Sequence, residues 1–258
     1  ADRLKFFLVC GAGYDQFDQD GIRAKGARLA NASGVNVNAV SDHALALTLG
    51  LSRLIHTRRD NQHKAYWRGM IADLSQREEE LPGKTMLIYG LGKIGGRTAK
   101  LAKAFDMNVI GLKRDTSTPV EHVDELHPSG DLLSLLPRAD VVVLTCPLTP
   151  ETKHAINAQA LAAMKPSAYL INVARGGCVD QDALIAALND NQIAGAGIDV
   201  TVPEPLEAES PLWGFENVIL TPHTGGETRQ YEDNVIDILL ENLNRLSRGD
   251  EPLHNQVV

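Results

Sequence analysis

The stretch of sequence that decides the fold is TMLIYGLGKIGGRTAKLAKAF, residues 85–105. It begins with a short apolar run and ends with apolar residues at helical spacing, so it predicts a strand, a glycine turn and a helix. The turn reads G-x-G-x-x-G, a spacing that lets the backbone approach a pyrophosphate at a helix N-terminus. We therefore predict a dinucleotide site, with a purely structural glycine turn as the alternative. Its turn residues are Gly90, Gly92, Lys93, Ile94 and Gly95.

From residue 84 onward, short β-branched runs alternate with longer amphipathic runs. This alternation is typical of parallel strands joined by helical crossovers. Helices of the kind seen at Ile94 to Phe105 are expected to cover both faces, which predicts an α/β fold with a Rossmann-type doubly wound parallel sheet. The six predicted strands are Thr85 to Tyr89, Asn108 to Leu112, Val141 to Thr145, Tyr169 to Asn172, Gly195 to Asp199 and Val218 to Leu220.

The regions on either side of this alternation predict a second, smaller lobe. Leu4 to Cys10 has the pattern of a buried strand, Val40 to His56 that of one long helix with apolar residues on most faces, and Tyr231 to Arg248 that of a final amphipathic helix. A polar stretch and a Leu-Pro-Gly turn separate the first two elements from the alternating part. We expect a dinucleotide-binding domain at residues 58–229 and a discontinuous second domain at residues 1–57 and 230–258.

Composition excludes several classes of function. The 258 residues include 25 Lys and Arg against 33 Asp and Glu, a formal net charge of −8, so binding to nucleic acid is not expected. The apolar runs fall far short of the about 20 residues that span a bilayer. The cysteines at positions 10, 146 and 178 are too far apart for a C-x-x-C metal site, so we expect no metal and the buried thiols of a cytoplasmic protein.

The end of the second predicted strand bears on the choice of dinucleotide. A protein that binds the adenine ribose 2′-hydroxyl of NAD places Asp or Glu about 20 residues beyond the glycine turn. Here the strand ends at Leu112 and is followed by Lys113 and Arg114. Two cations suit a 2′-phosphate, so NADP is the favoured cofactor. The alternative is NAD, with Asp115 in the ribose role.

Motifs spread along the chain carry a resemblance to a known family. They are GAGYDQFD from Gly11, NASGVN from Asn31, GLGKIGGRTAKLAKAFDMNVIG from Gly90, CPLTPETKHAIN from Cys146, INVARGG from Ile171, GAGIDVTVPEPL from Gly195 and TPHTGG from Thr221. Through them the chain resembles the D-isomer-specific 2-hydroxyacid dehydrogenases over nearly its whole length. The resemblance implies hydride transfer between NAD(P)H and a 2-oxo acid to give a D-2-hydroxy acid. It also implies a flavodoxin-like substrate lobe whose first strands are absent here, so we expect a fragment of a longer protein.

The resemblance assigns roles to three side chains of this sequence. His223 stands at the family's acid/base position, and imidazole exchanges protons near neutrality. Glu204 matches the carboxylate that hydrogen-bonds this histidine and favours its protonated form. Arg175 matches the arginine that holds the substrate carboxylate and polarises the adjacent carbonyl, a task that suits a planar guanidinium. Each would be an ordinary surface or core residue without its motif.

The remaining implied contacts involve the cofactor, the substrate and a second subunit. The loop at Ala12 and Gly13 resembles the turn whose N–H groups bind the substrate carboxylate, although a plain tight turn explains it nearly as well. A homodimer is expected because relatives pair through the cofactor domain. Further cofactor contacts are implied at Pro147, Thr152, Val173, Ala174, Asp199, Gly225 and Gly226. The alternative functions are a dinucleotide-sensing corepressor of the same architecture and, less well supported, a thioether hydrolase.

Overall fold

A computed structural model of the chain describes residues 4–14, 16–74 and 77–258. Asp15 of the GAGYDQFD motif lies outside the described residues. The elements, in chain order, are β1 (Phe6–Val9), α1 (Gln19–Ala24), β2 (Arg28–Asn31), α2 (Val37–Ser52), α3 (Ile55–His63), β3 (Thr85–Tyr89), α4 (Lys93–Ala104), β4 (Asn108–Lys113), β5 (Glu125–Pro128), α5 (Leu132–Leu135), β6 (Val141–Leu144), α6 (Ala158–Ala163), β7 (Tyr169–Asn172), α7 (Gln181–Asn189), β8 (Gly195–Ile198), β9 (Val218–Leu220) and α8 (Tyr231–Arg248).

The larger of two compact units, Val40–Gly225, is built on a sheet of seven parallel strands. The strand order is β5-β4-β3-β6-β7-β8-β9, so the direction of winding reverses between β3 and β6. Successive residues of β3 enter different apolar clusters, because Met86 and Ile88 pack in one and Leu87 and Tyr89 in the other. A sheet buried on both faces with one reversal point is the doubly wound Rossmann arrangement, which confirms the predicted fold class.

The strands differ from the prediction at an edge and at their ends. The seventh strand, β5, was not predicted because its sequence, ELHP, is short and polar, but it pairs in parallel with β4 at the edge of the sheet. Two predicted strands end one residue early, so that Thr145 and Asp199 begin loops instead. β4 extends to Lys113, which therefore closes the strand.

The predicted single helix Val40 to His56 is wrong. α2 starts earlier and ends at Ser52, and Leu54, with φ of +52°, separates it from α3. The buried face of α2, including Leu47, packs in the same cluster as Met86 and Ile88 of the sheet. From Val40 onward the helix therefore belongs to the larger unit, which ends at Gly225, whereas the sequence-based domain limits were 57/58 and 229/230.

The smaller unit comprises Ala1–Ala39 and Gly226–Val258. β1 and β2 pair in parallel around α1, so the predicted first strand is present with slightly shorter limits, and β2 is an addition. The C-terminal segment bonds to β2, since the backbone N–H of Val257 donates to the carbonyl of Leu29 at 2.7 Å. α8 has the predicted limits and is followed by its C-cap residue, Gly249, which adopts a left-handed conformation. No helix within the described ranges is long and apolar enough to cross a membrane.

Candidate active site

The predicted site residues of the larger unit lie where strands of its sheet end. Because the strands are parallel, their carboxyl ends meet at one edge, and ligands of open α/β sheets bind there. The segments that follow β3, β4, β6, β7, β8 and β9 begin at Gly90, Arg114, Thr145, Val173, Asp199 and Thr221. The fold thus brings six separate stretches of predicted site residues to the same edge of the sheet.

The glycine turn fits a dinucleotide pyrophosphate. Gly90 has φ of +108°, and a Cβ there would lie 2.6 Å from the backbone of Cys146. A Cβ at Gly95 would lie 2.1 Å from the carbonyl oxygen of Gly90, so both glycines close the turn against protein. Gly92 differs, because a Cβ there would meet open space. It caps α4 without any side-chain hydrogen bond, so the turn leaves the helix N-terminus open to an anion.

Basic residues end the neighbouring strand. Nζ of Lys113 lies 3.3 Å from the hydroxyl of Thr118, and Arg114 is exposed. The Asp115 carboxylate instead accepts the backbone N–H of Ser117 at 2.9 Å. Hydrogen bonds from Ser117, with a smaller contribution from Lys113, lower the pKa of Asp115. The Asp115 carboxylate is thus hydrogen-bonded within its own turn, while the two cations lie at the strand end.

The loops after β6 and β7 are held by internal hydrogen bonds. The Thr152 hydroxyl donates to the carbonyl of Pro147 at 2.7 Å. The hydroxyl of Thr152 therefore stabilises the turn that contains Pro147. After β7, the Asn172 side chain accepts the N–H of Ala174 at 3.1 Å and donates to the carbonyl of Arg175 at 3.0 Å. Asn172 was not among the predicted site residues. It fixes the short segment that carries three of them.

His223 and Glu204 are in contact. Nδ1 of His223 lies 2.8 Å from Oε2 of Glu204, and Oε1 of the same carboxylate accepts the N–H of Thr201 at 3.1 Å. A carboxylate accepts hydrogen bonds, so Nδ1 carries the hydrogen and Nε2 is left for other partners. The His223 side chain is 49% exposed, which leaves the ring accessible. The sequence paired these residues through a family resemblance, and the geometry brings them together.

His223 also has an unusual backbone. Its φ is +57°, in the left-handed region, which costs a residue other than glycine about 1–2 kcal/mol. Its N–H donates to the carbonyl of Asp199 at 2.8 Å. The following N–H groups of Thr224 and Gly225 donate to the Asp199 carboxylate at 3.0 Å each. Asp199 therefore holds the turn that carries His223.

Asp199 is 4% exposed, yet its carboxylate accepts several hydrogen bonds. Burial raises the pKa of this carboxyl, but hydrogen bonds from His43, Thr221 and Gly225 together outweigh burial, so its pKa lies below the usual value. An ionised Asp199 is thus the stable form in the folded protein. Oδ1 receives most of the donors, and Oδ2 accepts the N–H of Gly225, which leaves Oδ2 further acceptor capacity.

His43 joins this group from α2. Its Nε2 lies 2.9 Å from the Thr221 hydroxyl and 3.4 Å from Oδ1 of Asp199, while the Thr221 hydroxyl donates to that oxygen at 2.6 Å. His43 is not among the predicted site residues. Only the packing of α2 on the sheet shows that it reaches the site.

The structure places Arg175 at the end of the β7 loop. Its Nη1 donates to the carbonyl of Ala174 at 2.7 Å. The next residue, Gly176, packs so closely that a Cβ would lie 2.1 Å from the carbonyl oxygen of Thr201. Thr201 is the residue whose N–H donates to Glu204. The loop of Arg175 therefore packs directly on the loop of Glu204.

The remaining predicted residues have contacts within their own units. In the smaller unit, the Asn31 side chain donates to the carbonyl of Ala12 at 2.7 Å and so holds the Ala12–Gly13 loop at the end of β2. Gly226 of the same unit packs against Asn36, because a Cβ at this glycine would lie 2.6 Å from the Asn36 amide. In the larger unit, a Cβ at Gly225 would lie 2.8 Å from the Asp199 carboxylate. Close packing accounts for both glycines.

A cavity of about 550 Å³ lies beside the His223–Glu204 pair in the larger unit. Apolar side chains, among them Leu206, Trp213 and Leu220, form part of its wall. Asp199, Thr201 and Thr221 also line it, so the His223–Glu204 pair and the buried carboxylate open into the same space. The volume falls within the range of small-molecule sites.

Comparison with known proteins agrees with this architecture. The chain is 36% identical over 257 residues to a glyoxylate reductase of Pyrococcus furiosus, covering 98% of this chain and 75% of that protein. A structure of the NADPH-dependent glyoxylate/hydroxypyruvate reductase of Sinorhizobium meliloti with NADP and malonate is 32% identical, with a TM-score of 0.85 over 100% of this chain and 78% of that one. D-lactate dehydrogenase of Aquifex aeolicus, with NAD and lactic acid, is 28% identical, with a TM-score of 0.86 over 99% and 80%.

Residues 45–225 match the family described as D-isomer specific 2-hydroxyacid dehydrogenase, NAD binding domain. The match covers the whole seven-stranded sheet, including the glycine turn and the His223 motif. The chain therefore belongs to the D-isomer specific 2-hydroxyacid dehydrogenases, a family of oxidoreductases that use nicotinamide dinucleotides.

Proposed function

We propose that the protein reduces a 2-oxo acid to the D-2-hydroxy acid with NADPH, and that His223 is its acid/base. The observation that carries the proposal is the 2.8 Å contact between Nδ1 of His223 and Oε2 of Glu204 beside the cavity. A histidine held through Nδ1 presents Nε2 as the proton donor. Reduction of a ketone requires such a donor, because the carbonyl oxygen gains a proton as the carbon becomes tetrahedral.

Glu204 orients the ring and compensates its positive charge. Its second oxygen is anchored by the N–H of Thr201 at 3.1 Å, so the carboxylate has a defined orientation. With the ring held through Nδ1, proton transfer from Nε2 of the imidazolium to the ketone oxygen leaves neutral imidazole. In the reverse direction the same nitrogen accepts the hydroxyl proton of the D-2-hydroxy acid.

Arg175 is proposed to bind the carboxylate of the 2-oxo acid and to polarise its C2 carbonyl. Two observations support this role. The residue follows β7 at the carboxyl edge of the sheet, and its loop packs against the loop of Glu204 through Gly176 and Thr201. A guanidinium has a planar array of donors that matches a carboxylate and an adjacent carbonyl oxygen. That the backbone N–H groups of the Ala12–Gly13 loop bind a carboxylate stays a prediction from the resemblance.

The dinucleotide is proposed to lie along the carboxyl edge, with its pyrophosphate at the Gly90–Gly95 turn. When bound, the reduced nicotinamide supplies the hydride that reaches C2 of the 2-oxo acid. The open space at Gly92, and the fact that this N-cap residue of α4 makes no side-chain hydrogen bond, support the pyrophosphate position. Asp199 Oδ2 has acceptor capacity for the carboxamide. Further contacts are proposed at Lys93, Ile94, Pro147, Val173 and Ala174, with Thr152 acting through the Pro147 turn.

NADP is proposed as the preferred dinucleotide. Lys113 and Arg114 lie where β4 ends, and the neighbouring Asp115 is held by Ser117 within its own turn. A 2′-phosphate gains charge-assisted hydrogen bonds from such a pair, whereas a ribose 2′-hydroxyl needs an acceptor there. Among structural relatives, the Sinorhizobium meliloti reductase binds NADP and the Aquifex aeolicus enzyme NAD.

A homodimer is proposed, with its interface formed by the segment that follows α3, residues 66–74. Its large apolar side chains are exposed in the larger unit, with Trp67 96%, Met70 90%, Leu74 72% and Tyr66 60% accessible. Such a cluster is costly in water and suits burial by a second copy of the chain. Light scattering after size exclusion tests this, because Trp67→Ser should shift the protein toward the monomer mass. A monomer mass for the wild-type protein would contradict the proposal.

A panel of 2-oxo acids tests the proposed reaction. Glyoxylate, hydroxypyruvate and 4-methyl-2-oxopentanoate are each incubated with NADPH or NADH, and cofactor absorbance is followed. We expect oxidation of NADPH with at least one acid. Glycolate, the product of glyoxylate, is achiral, so the D configuration is tested by chiral chromatography of the products of the other two acids. Oxidation that yields the L-hydroxy acid would contradict the stereochemistry. Dinucleotide binding without turnover of any acid would favour a dinucleotide-sensing binding protein instead.

A further inference from the structure

A chain of hydrogen bonds leads from α2 to the turn that carries His223. Nε2 of His43 lies 2.9 Å from Oγ1 of Thr221, and that oxygen lies 2.6 Å from Oδ1 of Asp199. All three residues belong to the larger unit. Asp199 in turn accepts hydrogen bonds from N–H groups of the turn that carries His223.

The direction of each hydrogen bond follows from the donors available. A hydroxyl has one hydrogen, and the ionised Asp199 carboxylate only accepts, so the Thr221 hydroxyl donates to Asp199. The Thr221 oxygen then acts as acceptor toward His43, which means that Nε2 of His43 carries a hydrogen. The chain runs from His43 through Thr221 to Asp199 in one direction.

Asp199 is hydrogen-bonded in turn to the backbone of the turn that carries His223. Its carbonyl accepts the N–H of His223, and its carboxylate accepts the N–H groups of Thr224 and Gly225. His223 has φ of +57°, so its backbone is held in a conformation that it does not favour on its own. A rotation of the Asp199 side chain would release the two N–H groups that follow His223.

We propose that His43 and Thr221 are positioning residues, which act through Asp199 to hold the His223 ring against Glu204. This rests on the proposed role of His223 as acid/base. The Thr221 hydroxyl donates at 2.6 Å to Oδ1 of Asp199, whose side chain is only 4% exposed, and His43 orients that hydroxyl. Neither residue needs to touch the substrate for this effect.

The test compares Thr221→Val with Thr221→Ser. Valine has nearly the shape of threonine but no hydroxyl, whereas serine keeps the donor. Two quantities are measured: the imidazole Nδ1–H proton resonance of His223 in the protein without cofactor, assigned by its absence in His223→Ala, and kcat. We expect Thr221→Val to shift or lose the resonance and to lower kcat at least tenfold with little change in KM. Thr221→Ser should keep the resonance and remain within about threefold in kcat.

His43→Leu and His43→Gln form a second pair in case the first variant fails to fold. The glutamine amide can donate as Nε2 of His43 does, so His43→Gln should retain the resonance better than His43→Leu. Thr57→Val, in α3, serves as the matched control. Unchanged resonance and kcat in Thr221→Val or His43→Leu, or equal losses in both members of a pair, would overturn the proposal. If His223→Ala itself retained full kcat, the proposed acid/base role would be the one that failed.

Discussion

Nδ1 of His223 lies 2.8 Å from Oε2 of Glu204, although nineteen positions separate the two residues in the chain. The contact forms because the segments after β8 and β9, neighbouring strands of one parallel sheet, meet at its carboxyl edge. The Glu204 carboxylate is 39% exposed and the His223 ring 49%, so the pair is open to solvent on one side. A pair of this kind can exchange a proton with a ligand in the cavity beside it.

Glu204→Gln should lower kcat. Glutamine can still accept a hydrogen bond from Nδ1, but it carries no negative charge to stabilise the protonated ring. We expect kcat to fall about ten- to a hundredfold with little change in the dissociation constant of NADPH. Steady-state kinetics and cofactor fluorescence titration measure the two quantities. Glu209→Gln, an exposed glutamate farther along the same loop, is the control. Equal kcat for Glu204→Gln and wild type would mean that the charge is not used.

Arg175→Lys should impair use of the substrate although the charge is kept. An ammonium group cannot bind a carboxylate and the adjacent carbonyl oxygen through one planar array of donors. We expect kcat/KM to fall at least about tenfold, which corresponds to about 1.4 kcal/mol of transition-state stabilisation. The exposed Arg248 at the end of α8 supplies the control variant Arg248→Lys. If both variants behaved like wild type, the geometry of the guanidinium would be irrelevant.

Lys113→Asp should change the preference between dinucleotides. The variant removes a cation from the proposed 2′-phosphate site and supplies an acceptor for a ribose 2′-hydroxyl. A charge-assisted hydrogen bond contributes about 1.5–3 kcal/mol, so the ratio of kcat/KM with NADPH to kcat/KM with NADH should fall more than about tenfold. Lys100→Asp, at an exposed position of α4, controls for the change in net charge. A ratio that stays the same in both variants would favour the alternative in which Asp115 determines NAD use.

Glu78 should make stability depend on acid pH. It bridges Arg58 and Arg68, and hydrogen bonds from Arg58 and then Arg68 help to lower its pKa from 4.5 to about 2. Because the folded-state pKa is depressed, the stabilisation is complete above pH 4.5 and is lost as pH falls toward 2. Solvent screening limits it to about 1 kcal/mol, or about 2–4 °C in Tm.

Thermal unfolding of wild type and Glu78→Gln between these pH values measures the effect. The wild-type Tm should fall more steeply on acidification, so that the two curves converge near pH 2. Glu121→Gln provides the control, because the Glu121 side chain is 95% exposed. Curves for wild type and Glu78→Gln that remain parallel over the whole range would show that the bridge does not stabilise the fold.

The sequence predicted the parts of the fold whose pattern is local. The strand–glycine–helix unit at residues 85–105 has its own periodicity, and six strands of the large sheet were found from such runs. β5 was missed because ELHP is polar and becomes a strand only by pairing with β4. The predicted limits of α2 were wrong because Leu54 adopts a left-handed conformation. Nothing in an apolar side chain such as leucine predicts that conformation.

The candidate site, too, could be predicted only where its residues lie in local motifs. His223, Glu204 and Arg175 lie in motifs, and their predicted roles come from the resemblance that these motifs carry. The contacts of Asp199 with Thr221 and His43 join three distant segments, so they depend on how α2 packs against the sheet. Asn172 was missed for a similar reason, since a buried asparagine at a strand end has no distinguishing pattern until its partners are known.

The most direct test of the central claim, that His223 transfers the proton, is kcat for His223→Ala measured together with the dissociation constant of NADPH. General acid catalysis contributes about 10²–10⁴-fold, so kcat should fall by that factor while NADPH binding changes less than about threefold. His63→Ala, at an exposed histidine of α3, should match wild type in both quantities. A His223→Ala protein that binds NADPH normally and keeps wild-type kcat would contradict the account.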